Sequence, residues 1–478
     1  MLAATWLSLR GSSSSMSLEQ WSVGSRGFGT VLIFLLLAGE IYTTFTFLGA
    51  SGWAYGRGAP AFYILAYGSV AYIMSYWLLP AIWCRATAWR VVSQAEYFSR
   101  AYESVWLGRL VAVVSIASLM PYLVLQFKGL GIIVAESSYG VIGATTAIWI
   151  GTLATVMYVV ISGIKGSAMT AALKDALVLA SIVGLGLVLP NTLHGGIGPM
   201  FDRIVTERPT FLVLPASGLS PSWFASTITV SVFGFYMWPH TFGSIFSAKD
   251  AHVFRRNAVL MPLYQLVLLF VFFVGFAAML SVPGLTGSDV DLALLRVTRQ
   301  QFGPWIVGLV GAAGLLTALV PGSLILMSTA TTLARIVRPV SSDRTNASLT
   351  LARSLVPLVA AVALFFTFRG GDTLVTLLLM AYSMVTQLFP PLLASVIAPR
   401  RVSAVGAMAG IIAGEIIVAV VTIANVKLPT LFPTWPSLVT DLNIGLVALL
   451  ANTIVLLAVS AFAPNDATAT TAPMSAAA

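Results

Sequence analysis

Apolar residues in this chain come in blocks of about 20 or more, the length that carries an α-helix across a hydrocarbon layer roughly 30 Å thick. Short polar or Gly/Pro-rich breaks divide these blocks into twelve expected spans. In the first half they run over 27–54, 59–83, 106–135, 141–163, 168–190 and 222–247. In the second half they run over 257–281, 303–335, 347–368, 372–398, 402–425 and 440–463. The pattern predicts an all-α, polytopic membrane protein.

Composition supports lipid as the solvent. Of 478 residues, 58% are hydrophobic and 9% charged, against roughly 45–50% and 25% in a soluble domain. The net charge of +9 would suggest nucleic acid in a soluble chain. Here the basic residues sit in short loops between apolar blocks and report orientation instead, so no nucleic-acid partner is expected. With the N-terminus inside, Arg85, Arg90, Arg100, Lys165, Lys174, Lys249, Arg255, Arg256, Arg335, Arg400 and Arg401 fall on the cytoplasmic side. Fewer basic residues, among them Arg57, Arg203, Arg296 and Arg369, fall outside. That bias places both termini in the cytoplasm and the protein in the plasma (inner) membrane. Cys84 is the only cysteine, which excludes an intrachain disulfide and any Cys-based metal site.

Two spans are interrupted. The first carries Gly39-Glu40-Ile41-Tyr42-Thr43-Thr44 at mid-span, where an ionised group costs roughly 2.5–3.5 kcal/mol, so Glu40 is expected to face protein or water. The sixth carries Trp238-Pro239-His240-Thr241, where Pro239 removes a backbone donor and breaks or kinks the helix. These spans open two successive sets of five, and paired interruptions at corresponding positions point to the binding site of an inverted-repeat transporter. A half-helix N-terminus there suits a carboxylate, and free carbonyls suit a cation. Lys128, in the outer third of the third span, reads either as a snorkelling residue or as a substrate ligand. His240 reads as a proton relay, a carboxylate ligand or a packing residue. Glu415 reads as structural, and Gly406 to Gly410 as a small-xxx-small helix contact.

Several stretches then resemble one family, the sodium:solute symporters, and most of all its monocarboxylate permease branch. Gly24-Ser25-Arg26-Gly27-Phe28-Gly29 resembles the "GGRxxG" loop, and Phe47-Leu48-Gly49 with Tyr55-Gly56-Arg57-Gly58 the outer half of the first core helix. Pro121 to Gln126 resembles the third core helix. Gly163-Ile164-Lys165-Gly166 to Lys174-Asp175 is similar to "GGLxAVxxTD". Trp238 to Thr241, Ser247 to Asp250 and Arg255 to Tyr264 resemble the permease branch in particular. Val402 to Gly414 is similar to "TxxGAxxGxxxG".

The resemblance implies a LeuT-type 5+5 inverted repeat. The core would cover 21–400, with repeats over 27–190 and 222–398, followed by two further helices over 401–463 and a disordered tail over 464–478. The family carries one more helix ahead of its "GGRxxG" loop, so residues 1–20 read as the remnant of that helix. The resemblance also implies a Na⁺ site built from the carbonyls of Gly39 and Tyr42 and from two hydroxyls on the eighth helix. Those hydroxyl positions fall on Val320 and Pro321, which lack side-chain oxygens, whereas a hard cation needs oxygen ligands. Thr317, Ser323 and Glu40 are the candidates to compensate. The departure raises proton coupling through Glu40, with Asp175 implied on the ion exit path.

The expected function is therefore symport of a small organic anion, a monocarboxylate such as lactate or pyruvate, driven by a Na⁺ or proton gradient. Tyr42, Phe45 and Trp238 would wall the solute, with His240 and Lys128 as further ligands. A transporter-like sensor is the competing class. No metal-binding or activated-nucleophile motif supports an enzyme, and no organic cofactor is expected.

Overall fold

The structure is a computed structural model and describes residues 21, 23, 26–337, 345–424, 426 and 428–463. The expected remnant over 1–20 and tail over 464–478 lie outside these residues. Among the described residues the protein is all-α, with one isolated bridge between Phe28 and Ala248.

Among the described residues, ten helical stretches are long and apolar enough to cross a membrane. The two remaining expected spans are present in pieces. The first comprises α1 (Thr30–Gly39), an unwound stretch, a wide turn at Phe45–Gly49 and α2 (Ala50–Arg57). It leads into α3 (Tyr63–Trp89), the short α4 (Gln94–Ala101), α5 (Val105–Ser137), α6 (Ala144–His194) and the surface helix α7 (Ile197–Glu207). The sixth span comprises α8 (Pro221–Gly234) and α9 (Pro239–Phe246). Then follow α10 (His252–Gln265), α11 (Leu268–Ser281), α12 (Ala293–Gln301), α13 (Pro304–Val337) and α14 (Thr345–Thr367). The chain ends with α15 (Leu374–Val385), α16 (Phe389–Ile397), α17 (Ala404–Ile423) and α18 (Ile444–Phe462).

Assigned as one helix, α6 contains two spans, Ala144–Ile161 and Thr170–His194. Tyr158 and Thr170 share a hydrogen bond of 2.8 Å between their hydroxyls. Twelve residues of straight helix would separate them by about 18 Å. The helix therefore bends sharply between the two segments, in line with the separate spans 141–163 and 168–190.

Helix starts follow local chemistry. The side chains of Ser93, Ser104, Thr373 and Ser403 accept from main-chain N–H groups of the first turns of α4, α5, α15 and α17, satisfying donors that have no partner within the helix. Glycine sets the closest approaches. A Cβ on Gly275 of α11 would meet the Ser51 carbonyl of α2, and one on Gly410 of α17 would lie 2.7 Å from the Asn452 carbonyl of α18. The expected small-residue contact at Gly406 and Gly410 thus joins α17 to α18. Large apolar side chains such as Leu153, Phe365, Ile416 and Ile454 remain exposed on the outside, the pattern of a surface facing lipid.

Inside this shell α1 packs against α6, α9, α10 and α13, while α9 also packs against α3 and α13. Both broken helices lie at the centre of the bundle. The Phe28 N–H donates to the Ser247 carbonyl at 2.9 Å and the Lys249 N–H to the Phe28 carbonyl at 3.0 Å. These bonds tie the start of the first broken helix to the end of the second.

Candidate functional site

The first break begins after Gly39, where the regular hydrogen-bond ladder fails. The Thr43 N–H turns back to the Ile41 carbonyl at 2.8 Å. Thr46 places its hydroxyl 2.6 Å from the same carbonyl and 3.0 Å from that of Thr43. Thr43 Oγ1 accepts the Phe45 N–H at 3.2 Å. The run of threonines therefore serves the break itself, supplying polar partners that unwound backbone requires in the absence of water.

The Gly39 and Tyr42 carbonyls are served differently. The Lys174 ammonium, on the second half of α6, donates to both, at 2.9 and 3.2 Å. Lys174 is fully buried and lies 3.0 Å from Asp175 Oδ1. Counting basic residues placed Lys174 with the loop charges of the cytoplasmic side; in the structure it is buried within α6, against the break. Gly39, Tyr42 and Asp175, expected at a cation site and on an exit path respectively, are brought together around a lysine that sequence reasoning did not select.

Glu40, between the two carbonyl residues, turns the other way. Its carboxylate accepts from Thr241 Oγ1 at 2.7 Å and Ser244 Oγ at 2.8 Å, both on α9. The two broken helices are thus joined through a carboxylate. Thr241 entered the sequence reading only as part of the break motif and Ser244 not at all, although both follow Pro239 within two turns.

The second break spans Phe235 to Trp238, and Pro239 occupies the first position of α9, where its missing N–H costs nothing. The Met237 carbonyl accepts from Gln94 Nε2 at 2.7 Å, and Gln94 in turn accepts from Ser115 at 2.9 Å. The open N-terminus of α9 faces a pocket lined by Glu40, Thr43, Phe45, Tyr67, Tyr122, Trp238, His240, Thr241, Gln265 and Tyr382, among others.

Trp238 is the centre of an aromatic cluster, its ring 5.0 Å from Tyr122, 5.1 Å from Tyr382 and 6.0 Å from His240. Two buried polar atoms of the lining, His240 Nδ1 and Gln265 Oε1, have no hydrogen-bond partner among the described residues. Such atoms are uncommon in native interiors and mark places where a ligand or water completes the set.

Of the expected solute-binding residues, Phe45, Trp238 and His240 line this pocket. Tyr42 does not: its hydroxyl donates to the Tyr264 carbonyl at 3.1 Å, away from the cavity. Lys128 does not either, because its ammonium is held by the Asp372 carbonyl at the far end of α5. Thr317 and Ser323 are buried on α13 and donate to the Gly314 and Val320 carbonyls of their own helix, each at 2.6 Å. Tyr122, Tyr382 and Gln265 are pocket residues that the sequence reading missed. Tyr122 lay within a family-like stretch, while Tyr382 and Gln265 carried no local signal.

Residues 21–414 match the sodium:solute symporter family. The chain belongs to that family. It is 57% identical over 447 residues to the uncharacterized symporter YhjB of Bacillus subtilis (strain 168), covering 93% of this chain and 91% of that one. It is 26% identical over 360 residues to a monocarboxylate transport permease protein of Rhizobium johnstonii (strain DSM 114642 / LMG 32736 / 3841), covering 72% and 70%. The fold matches a Na⁺-coupled sialic acid symporter in a substrate-bound outward-open state, with a TM-score of 0.79, 15% identity, and 97% and 96% of the two chains covered. The protein is therefore a multi-pass membrane symporter of LeuT-type fold and not an enzyme.

Proposed function

We infer that this symporter moves a small monocarboxylate through the pocket between the two breaks, together with a proton carried on Glu40. The observation that carries this reading is the meeting of an anion-favouring helix N-terminus, that of α9, with the carboxylate of Glu40 in one buried pocket. The solute's carboxylate fits the free N–H groups at the start of α9, with the orphaned His240 Nδ1 as a further partner. Phe45, Tyr122, Trp238 and Tyr382 suit a short apolar remainder.

Charge accounting supports a cation partner. In their ordinary charge states, Glu40, Lys174 and Asp175 sum to one negative charge, and an anionic solute adds another. Two like charges 4 Å apart repel by about 4 kcal/mol at an effective dielectric of 20. A proton on Glu40 removes that repulsion and leaves the carboxyl able to hydrogen-bond, so solute and proton favour each other's binding. The similarity to a monocarboxylate permease supports the solute class, and the basic-residue bias supports cytoplasmic termini in the plasma membrane. The division into a core over 21–400, with repeats over 27–190 and 222–398, and two further helices over 401–463 is part of the same proposal.

The test is uptake of radiolabelled lactate and pyruvate by purified protein in liposomes. Accumulation under an inward proton gradient is expected. Absence of uptake and counterflow for every short monocarboxylate tried rejects the transport reading, and binding without either supports a sensor instead.

A further inference from the structure

We propose that Lys174 is a covalently tethered cation, occupying the position at the first helix break where a mobile Na⁺ would otherwise be bound. Two main-chain carbonyls, of Gly39 and Tyr42, have left the helix ladder and converge on one buried point. Carbonyl oxygens of an unwound helix at mid-membrane are hard, uncharged ligands suited to a coupling cation. The ammonium of Lys174 fills that point, 2.9 and 3.2 Å from the two oxygens.

The third partner is Asp175 Oδ1 at 3.0 Å. Three oxygens from two helices thus surround one positive charge, joining α6 to the break as a metal ion would. The ammonium already takes both carbonyl oxygens, so a Na⁺ ion bound at this point would have to displace it. The helix facing from α13 is consistent with this, because Val320 and Pro321, the positions expected to supply hydroxyls, offer no side-chain oxygen. Thr317 turns its hydroxyl to the Gly314 carbonyl of its own helix.

The function of the charge follows from its position. It holds the break closed against α6 whenever Gly39, Tyr42 and Asp175 are together, without requiring an ion from solution. This inference concerns the cation position alone and stands whichever solute the pocket takes.

The test reads thermal stability without solute, so its outcome is separate from that of the uptake assay. Purified full-length protein is melted in NaCl and in choline chloride at equal ionic strength, and binding of ²²Na⁺ is measured in parallel. The wild type is expected to melt at the same temperature in both salts and to show no saturable Na⁺ binding. Lys174→Ala leaves three oxygens around a vacated point and is expected to gain a saturable, Na⁺-specific rise in melting temperature. Lys174→Ser, which adds a hydroxyl ligand, serves where the alanine variant does not fold. Saturable Na⁺ binding by the wild type overturns the proposal, as does a folded variant that gains no Na⁺ response.

Discussion

The Glu40 carboxylate accepts a hydrogen bond from Ser244 at 2.8 Å across 204 residues of sequence. With Thr241 as its second donor, it makes one acid the joint between the two broken helices. Gln at this position preserves hydrogen bonding but cannot carry the transported proton. Glu40→Gln is therefore expected to lose at least about tenfold of proton-driven accumulation, roughly the loss of 1.4 kcal/mol of coupling. Counterflow at equal pH should persist. Accumulation and counterflow of labelled monocarboxylate, measured side by side, separate the two.

His240 presents to the pocket a buried Nδ1 without a partner among the described residues. Replacing an orphaned polar atom by an apolar group of similar size is close to neutral for stability. His240→Leu should therefore leave the melting temperature nearly unchanged. If Nδ1 binds the solute carboxylate, the lost bond is of the charged type, worth about 1.5–3 kcal/mol, so KM should rise by about 10- to 100-fold. An unchanged KM would make the residue one of packing only.

Backbone proximity between α2 and α11 depends on the missing side chain of Gly275, whose Cβ would press on the Ser51 carbonyl. Gly275→Ala should destabilise by about 1–3 kcal/mol, the usual cost of overpacking. Gly198, exposed on α7 with open space around it, is the control, and Gly198→Ala should stabilise slightly. Thermal melts of the two variants in the same detergent check both signs.

Asp291 lies in the helical turn Gly287–Leu292, outside the spans. Burial pushes its carboxyl up to about 7, while the Leu374 N–H and Lys128 pull it down. The folded value exceeds the unfolded one, so the native protein binds more protons between them. This contribution to stability is fully present below the unfolded value and is lost as pH rises through about 7. Asp291→Asn should flatten that decline, and melts between about pH 4 and pH 8 should show the variant less pH-dependent than the wild type.

The spans were legible because lipid leaves few ways to arrange an apolar chain: block length alone set their number and approximate ends. The breaks were legible as well, since Glu40 and Pro239 each violate a rule for an uninterrupted membrane helix. Lys174 was not, although it sits with Asp175 inside the apolar run that follows Thr170. Being near the end of a span, it was counted with the loop charges, and its role depends on α1 lying against α6, a contact no local pattern encodes. The same limit hid Tyr382 and Gln265, which reach the pocket from α15 and α10. Tyr42 shows the converse: its carbonyl accepts from the Lys174 ammonium at the break, while its ring, aimed by a bond to Tyr264, leaves the solute pocket.

The most direct test of proton-coupled solute movement is accumulation in liposomes with the two gradients imposed separately. The account predicts that an inward proton gradient without Na⁺ drives the wild type to concentrate a short monocarboxylate, and that a Na⁺ gradient at equal pH does not. Accumulation driven by Na⁺ alone, or proton-driven accumulation that survives in Glu40→Gln, would contradict it.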